Sequence, residues 1–341
     1  MFTGLRFRDT RLPRISVLLP VRDAASTLPA CLESLRAQTF ADFEVIAVDD
    51  GSRDASAAVL ARAAAGDRRL RVSSGPGGLV AALNAAAEAA TGELLARMDA
   101  DDVALPERFA RQVSRLDAEP ALDVLGCRVA LLDGGAFGNA GMRAYVDWSN
   151  ALLTHEAIAA DMFVESPLAH PSVTMRAAAL RRLGGYRAFE GPEDYDLWLR
   201  ALAAGCRFGK LPEVLLQWRD TASRLSRTDP RYAPERFFDL RIESFLRTTS
   251  SGDGVVVWGA GPIGKAWARG LAARGRAVRA FVEVDPRKIG RTIHGAPVVA
   301  VDAAGGYPCD VHVAAVGRPD ARRRIRAAAA ALGIERVIAV A

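Results

Sequence analysis

Two acidic clusters, Asp99-Ala100-Asp101-Asp102 and Glu193-Asp194-Tyr195-Asp196, hold the residues of this chain best suited to chemistry. Carboxylates packed this closely repel one another and raise each other's pKa, unless a cation or a proton-transfer role relieves them. The pattern points to a bound divalent cation, to general acid–base work, or to both. Structural readings stand beside these: Asp102 could cap a helix, and Glu193 and Asp194 could be ordinary first-turn acids facing a helix dipole.

The elements that must position the clusters can be read from the flanking residues. Glu93-Leu94-Leu95-Ala96-Arg97-Met98 reads as a buried strand that delivers the first cluster at its carboxyl end, and Pro106 with Glu107-Arg108-Phe109 reads as the start of a helix. Leu197, Trp198, Leu199 and Leu202 continue the second cluster as an apolar-rich helix, placing Glu193 and Asp194 at its amino end. Near the amino terminus, strand Ile15–Pro20, a helix over about 26–38 and strand Phe43–Val48 form a βαβ unit. Its second strand runs into Asp49-Asp50-Gly51-Ser52, which puts Asp50 at the same crevice of strand ends as Asp99 and Asp101, or makes it a plain turn.

Composition narrows the classes. A chain of 341 residues, 50% of them hydrophobic, can bury a large core and suits two domains better than one. No apolar run of membrane-spanning length occurs, and Arg6, Arg8, Arg11 and Arg14 are not followed by a signal core, so a cytoplasmic setting is expected. Cys31, Cys127, Cys206 and Cys309 lie far apart, as expected of reduced, mostly buried thiols rather than metal ligands. The net charge of +5 suits phosphorylated ligands and peripheral contact with the inner face of an anionic membrane. The arginines are scattered and no nucleic-acid motif is visible, so no nucleic-acid partner is expected.

Taken in order, Ser16-Val17-Leu18-Leu19-Pro20-Val21, Val48-Asp49-Asp50-Gly51-Ser52, Arg97-Met98-Asp99-Ala100-Asp101-Asp102 and Glu193-Asp194-Tyr195-Asp196-Leu197-Trp198 resemble the family 2 glycosyltransferases of GT-A fold over roughly residues 13–245. The resemblance implies an inverting, metal-dependent transfer from a nucleotide-sugar donor to a glycan or lipid-linked acceptor in cell-envelope polysaccharide synthesis. Its implied fold is an α/β mixed-sheet domain over 1–247. By the same likeness, Asp101 and Asp99 would hold Mn²⁺ or Mg²⁺, Asp99 also lying near the ribose. Asp50, Pro20 and Val21 would meet the base, and Trp198 and His170 the acceptor side, unless His170 is a satisfied structural histidine; Arg219, in an arginine-rich loop after Trp218, either closes over the diphosphate or is merely solvated. Asp194 would be the base that deprotonates the acceptor hydroxyl, with Glu193 supporting it. Two departures stand out: Asp23 where the family commonly has asparagine, and Asn84 in a segment that commonly has a glycine.

Beyond a polar linker at 248–254, residues 255–341 read as a small Rossmann-like α/β domain. Strand Val255–Trp258 runs into Gly259-Ala260-Gly261-Pro262-Ile263-Gly264, and Glu283 and Asp285 follow strand Val278–Val282 at the spacing of a dinucleotide-binding fingerprint. This tail is similar to the nucleotide-sugar-binding modules of bacterial sugar acyltransferases. A dinucleotide or nucleotide-sugar held by Gly259, Gly261 and Gly264 is one expectation; a structural or oligomerising domain is the other. Two further functions compete with the transferase: a non-catalytic sugar-nucleotide-binding protein, and a sugar-nucleotide oxidoreductase working through the tail. No Tyr-x-x-x-Lys pair or nucleophilic cysteine supports the last.

Overall fold

Alternation of β-branched and leucine-rich runs with alanine-rich helical stretches builds two separate sheets. The computed structural model describes residues 12–132, 140–221, 224–249, 254–308 and 310–340. Spatial contacts divide the chain into two compact units: 1–153, 168–188 and 206–222 form the first, while 154–167, 189–205 and 223–341 form the second.

In the first unit the chain runs through β1 (Ile15–Val21), α1 (Leu28–Arg36), β2 (Phe43–Asp49), α2 (Ser56–Gly66), β3 (Leu70–Ser74), α3 (Leu79–Ala89), β4 (Leu94–Arg97), β5 (Val103–Ala104), α4 (Arg108–Ala118), β6 (Leu122–Leu131) and α5 (Ala140–Ala151). After α6 (His155–Asp161), which belongs to the second unit, come β7 (Thr174–Arg176) and α7 (Ala177–Arg182). Then α8 (Glu193–Ala203), again of the second unit, is followed by β8 (Arg207–Trp218). Eight strands form one mixed sheet, ordered β3-β2-β1-β4-β7-β6-β8-β5. The first four are mutually parallel, and β7 runs antiparallel to both β4 and β6.

β1 is buried along its whole length, as a parallel strand covered on both faces should be. Its proline breaks no pairing. Leu18 is the last β1 residue in register with β4 and its carbonyl accepts Met98 N–H, so alternation turns Pro20 toward β4 beyond the end of that ladder. Ile15, Val17, Leu19, Leu28, Val45, Leu94 and Phe109 share one core, and each such side chain removed from water contributes roughly 1.5–3 kcal/mol. The chain leaves β1 outward through β2 and β3, then returns to β4 on the other side of β1. That reversal makes the carboxyl ends of β1 and β4 a topological switch point, where open α/β sheets take ligands.

The second unit adds α9 (Leu225–Thr228), α10 (Pro234–Thr248), β9 (Val255–Trp258), α11 (Pro262–Ala272), β10 (Val278–Val282), β11 (Thr292–Ile293), β12 (Ala296–Val299), β13 (Val311–Ala314), α12 (Pro319–Ala331) and β14 (Val337–Ala339). Its six-stranded sheet has the order β11-β12-β10-β9-β13-β14, with a switch point between β9 and β13. Helices from earlier in the chain pack within this unit. Trp267 of α11 meets Phe238 and Phe245 of α10 edge-on, and Gly270 permits the approach, since a Cβ there would lie 2.2 Å from Ile242 Cδ1. Asp161 of α6 is bonded by Arg322 and Arg326 of α12, and Phe163 bridges to Val340 in parallel. Residues 154–249 thus contribute α6, α8 and α10 to the unit that contains the second sheet.

Candidate active site

The first acidic cluster stands at the end of β4. One carboxylate oxygen each from Asp99, Asp101 and Asp102 lie within 4.8 Å of one another, a spacing that suits a single divalent cation. Asp102 is 1% exposed, and its Oδ1 accepts the Arg219 N–H at 2.8 Å, while Arg219 Nε donates to the Asp101 carbonyl at 2.8 Å. Arg219, expected near a diphosphate, is thus fixed to the acidic turn. Asp99 and Asp101 are the more open pair. Asp99 is paired with Arg97, whose guanidinium is buried and also donates to the Met98 carbonyl. Arg108, fully buried, donates to the Arg97 carbonyl at 2.8 Å. Burial pushes its guanidinium pKa down, against the pull of Cys127 and Asp102. Cys31 Sγ donates to the Asp99 carbonyl, and burial followed by Asp102, Asp101 and Asp99 holds the thiol protonated, well above its ordinary pKa.

Asp50 sits one residue beyond β2, and its N–H bonds to the Val21 carbonyl, so the ends of β1 and β2 are tied together. Its Oδ2 accepts Gly78 N–H at 2.8 Å and lies 3.6 Å from Arg22; its Oδ1 is buried with no hydrogen-bond partner. A buried carboxylate oxygen left unbonded is costly. That oxygen retains its capacity to accept a hydrogen bond. Gly75 leaves it room: a Cβ there would come within 3.0 Å of that same oxygen. The glycines at 75, 77 and 78 therefore form the turn that frames Asp50, with Gly77 and Gly78 at positive φ. Asp23 has φ 46°, a left-handed conformation that asparagine and aspartate both tolerate, and its Oδ1 accepts Arg53 N–H. Asn84 clasps Tyr186, accepting its N–H and donating to its carbonyl.

His170, expected on the acceptor side, is 7% exposed and shares a 2.9 Å hydrogen bond with the Tyr186 hydroxyl. Burial, then the charge of Arg97, holds its pKa well below the ordinary value, so it is a neutral imidazole. Trp198 is wholly buried in α8 and would have to come to the surface to meet an acceptor. Tyr145 and Trp148 lie on α5, where Tyr145 packs against Trp148 and Trp218.

Glu193 and Asp194 open α8 in the second unit, where the helix dipole favours their charge. Glu193 is 5% exposed and its Oε2 accepts the Tyr232 hydroxyl at 2.5 Å, whereas Asp194 is partly exposed and its Oδ1 accepts Tyr195 N–H. The more open member of the pair is Asp194. Sequence reasoning missed Tyr232, Arg97 and Arg108 as supports. Only Arg97 had a signal, two residues before the first aspartate.

In the glycine loop of the second unit, Gly259 has φ 108°, and a Cβ there would come 2.9 Å from Val316 Cγ1 and 3.0 Å from the Ala315 carbonyl oxygen. Gly264 lets α11 close on the strand, since a Cβ would fall 2.0 Å from the Gly259 carbonyl oxygen. Gly261 faces open space, as a phosphate cradle requires. Glu283, the expected ribose acid, is committed instead: Oε1 accepts Val284 and Asp285 N–H, and Oε2 accepts Ala260 N–H and Lys288 Nζ. Asp285 is paired with Arg287.

A mixed α/β sheet with carboxylates gathered at its switch point defines a sugar-nucleotide transferase fold, and comparison with known proteins places the chain more closely. The model of the glycosyl transferase family 2 matches residues 16–184, and that of a CoA binding domain matches residues 251–341. The putative glycosyltransferase EpsE of Bacillus subtilis is 31% identical over 227 residues, covering 65% of this chain and 78% of its own length. The amylovoran biosynthesis glycosyltransferase AmsE of Erwinia amylovora is 32% identical over 215 residues, 60% of this chain and 75% of its own. The chain belongs to glycosyltransferase family 2 and is a glycosyltransferase. Among solved structures, Staphylococcus aureus TarS 1–349 with UDP superposes with a TM-score of 0.54 at 19% identity, over 68% of this chain and 65% of TarS 1–349. The mannosyltransferase PcManGT of Pyrobaculum calidifontis, in complex with GDP-Man and Mn²⁺, gives 0.56 at 20% identity, over 78% of this chain and 76% of its own. These two confirm the fold. Glu193 and Asp194 lie beyond the family-matched segment. Among the described residues, no helix is long and apolar enough to cross a membrane.

Proposed function

We propose that this enzyme transfers a sugar from a nucleotide-sugar, with inversion at the anomeric carbon, to a hydroxyl of a glycan or lipid-linked acceptor during polysaccharide assembly. The observation that carries the reading is the cluster of Asp99, Asp101 and Asp102 at the end of β4, in the sheet whose β2 end bears the unbonded oxygen of Asp50. Asp101 and Asp99 fit Mn²⁺ or Mg²⁺, which when bound neutralises the charge of the departing diphosphate. Asp50 accepts from the base edge, with Pro20 and Val21 lining it by their main chain. Asp102 and Arg219 brace the acidic turn, and Arg219 lends positive charge toward the diphosphate. Asp194 removes the proton of the attacking hydroxyl, and Glu193 supports it. The amylovoran biosynthesis role of AmsE favours a polysaccharide as the product class. The setting is the cytoplasmic face, with peripheral contact to a membrane that carries lipid-linked acceptor. Gly259, Gly261 and Gly264 are the residues that would hold a pyrophosphate-bearing ligand in the second unit.

A panel of nucleotide-sugars assayed for metal-dependent nucleotide release identifies the donor without an acceptor. With the matched donor, release requires Mn²⁺ or Mg²⁺, and Asp194→Asn lowers kcat for transfer roughly 10²- to 10⁴-fold while donor binding survives. Full activity in that variant removes Asp194 from the role of base. Release that persists after chelation removes the metal.

A further inference from the structure

Tyr232 comes from a stretch that no motif marks. It follows Asp229-Pro230-Arg231, one turn of 3-10 helix at Pro230–Tyr232 in which the Asp229 side chain accepts the Arg231 N–H at 2.9 Å. The same carboxylate takes the Arg231 guanidinium in a two-pronged pair, with Nη2 to Oδ2 at 2.6 Å and Nε to Oδ1 at 3.1 Å. Pro230 presets the first dihedral angle and the ion pair closes the turn. A turn fixed in this way presents the Tyr232 hydroxyl to Glu193 Oε2 at 2.5 Å. Burial, followed by the charge of Glu193, its hydrogen bond and the charge of Asp194, pushes the phenol pKa far up. The group is a proton donor at every working pH.

The charged neighbours make this bond consequential. Glu193 is buried beside Asp194, and Arg231, which feels the charge of Glu193, is bonded to Asp229. Tyr195, the next residue after Asp194, is fixed by its hydroxyl to the Met162 carbonyl at 2.6 Å and by its ring against Phe237. The helix start is therefore held at Tyr195, and the phenol hydroxyl donates directly to the Glu193 carboxylate. A charged Glu193 in turn raises the proton affinity of Asp194, which makes Asp194 a stronger base.

We infer that Tyr232 is a positioning residue for the transfer reaction: through its bond to Glu193 it keeps the acid pair charged and aligned, without touching substrate. This rests on the assignment of Asp194 as base. The test is a double-mutant cycle on the full chain, with Tyr232→Phe, Glu193→Gln and the combination, followed by transfer kinetics against pH and by thermal melting. Tyr232→Phe lowers kcat about tenfold with donor KM unchanged, because a hydrogen bond to a charged group is lost. It also moves the acidic limb of kcat to higher pH, because the pair takes up a proton more readily. In the Glu193→Gln background the same change costs nothing further. Penalties that multiply, or an acidic limb that stays in place, overturn the inference and leave Tyr232 a packing residue. Should Tyr232→Phe melt below the assay temperature, Asp229→Asn loosens the turn while sparing both partners. The limb then moves in the same direction by less, and an unmoved limb overturns the inference equally. Full activity of Asp194→Asn defeats the base assignment alone, since the Tyr232–Glu193 coupling is read from the cycle.

Discussion

Asp50 and Glu283 occupy the same place in two different sheets. Each stands one residue beyond the second strand of a parallel βαβ unit, β1-α1-β2 and β9-α11-β10, and each carboxylate accepts an N–H from a glycine-rich turn, from Gly78 in one case and Ala260 in the other. Their remaining bonds differ. Asp50 keeps Oδ1 buried and unbonded, whereas both oxygens of Glu283 are filled by three backbone N–H groups and Lys288. Related topology has produced one carboxylate with an oxygen left unbonded and one whose oxygens are both taken up by its own loop. An acid at a strand end is therefore a position, and the count of its bonds decides its use.

Replacing Asp50 has the largest consequence for this contrast. Asp50→Asn keeps the shape but exchanges a charged acceptor for an amide, and a lost hydrogen bond to a charged group weakens binding roughly 10- to 100-fold. Donor KM rises by that factor while kcat changes little, as steady-state nucleotide release with the matched donor would register. An unchanged KM would mean that Oδ1 meets water rather than a base, and the contrast with Glu283 would collapse.

A smaller effect is expected of ligands at the second loop. With the Asp50→Asn full chain, so that the transferase site binds weakly, melting is followed with UDP-sugars, NAD(H) and coenzyme A in turn. A ligand at ten times its Kd stabilises by about 1.4 kcal/mol, which is a shift of about 3–6 °C for a unit of this size. A shift with one of these and not the others assigns the loop. No shift with any of them makes Glu283 a permanent occupant and the domain a structural one.

Much of this arrangement was legible before the fold was seen. β1, β2, β4, β9 and β10 fall where alternation and β-branched runs place them, because buried parallel strands need near-continuous apolar sequence. The acidic cluster at the end of β4 was legible because carboxylates packed so closely require a physical reason. Other features were not. β5 has two residues, too few for periodicity to register, and it pairs antiparallel with β8 through long-range contacts. The difference between Asp50 and Glu283 lies in bonds to Gly78 and Lys288 that spacing does not encode. Tyr232 lies 39 residues from Glu193, in a turn with no motif. Trp198 shows the converse: the family resemblance suggested an acceptor-side ring, whereas its apolar neighbours on the helix fit the wholly buried position it takes.

The smallest expected effect concerns stability and its dependence on pH. Burial alone would raise the Glu283 carboxyl, but the bond from Lys288 and those from the Val284, Ala260 and Asp285 amides outweigh it and hold the pKa below the ordinary value. A folded-state pKa that is depressed contributes stability which is complete above the unfolded value and fades as pH falls through the folded one. Glu283→Gln removes that contribution and leaves Lys288 without its charged partner, at a cost of about 1 kcal/mol near neutral pH. Melting of the second unit in the two proteins should therefore differ most at pH 6–8 and converge in acid. A gap that stays constant with pH would show that the carboxylate's charge plays no part in closing the loop. Glu283 would then hold Ala260 as a neutral amide could, and the bonds to Val284 and Asp285 rather than the ion pair with Lys288 would close the loop.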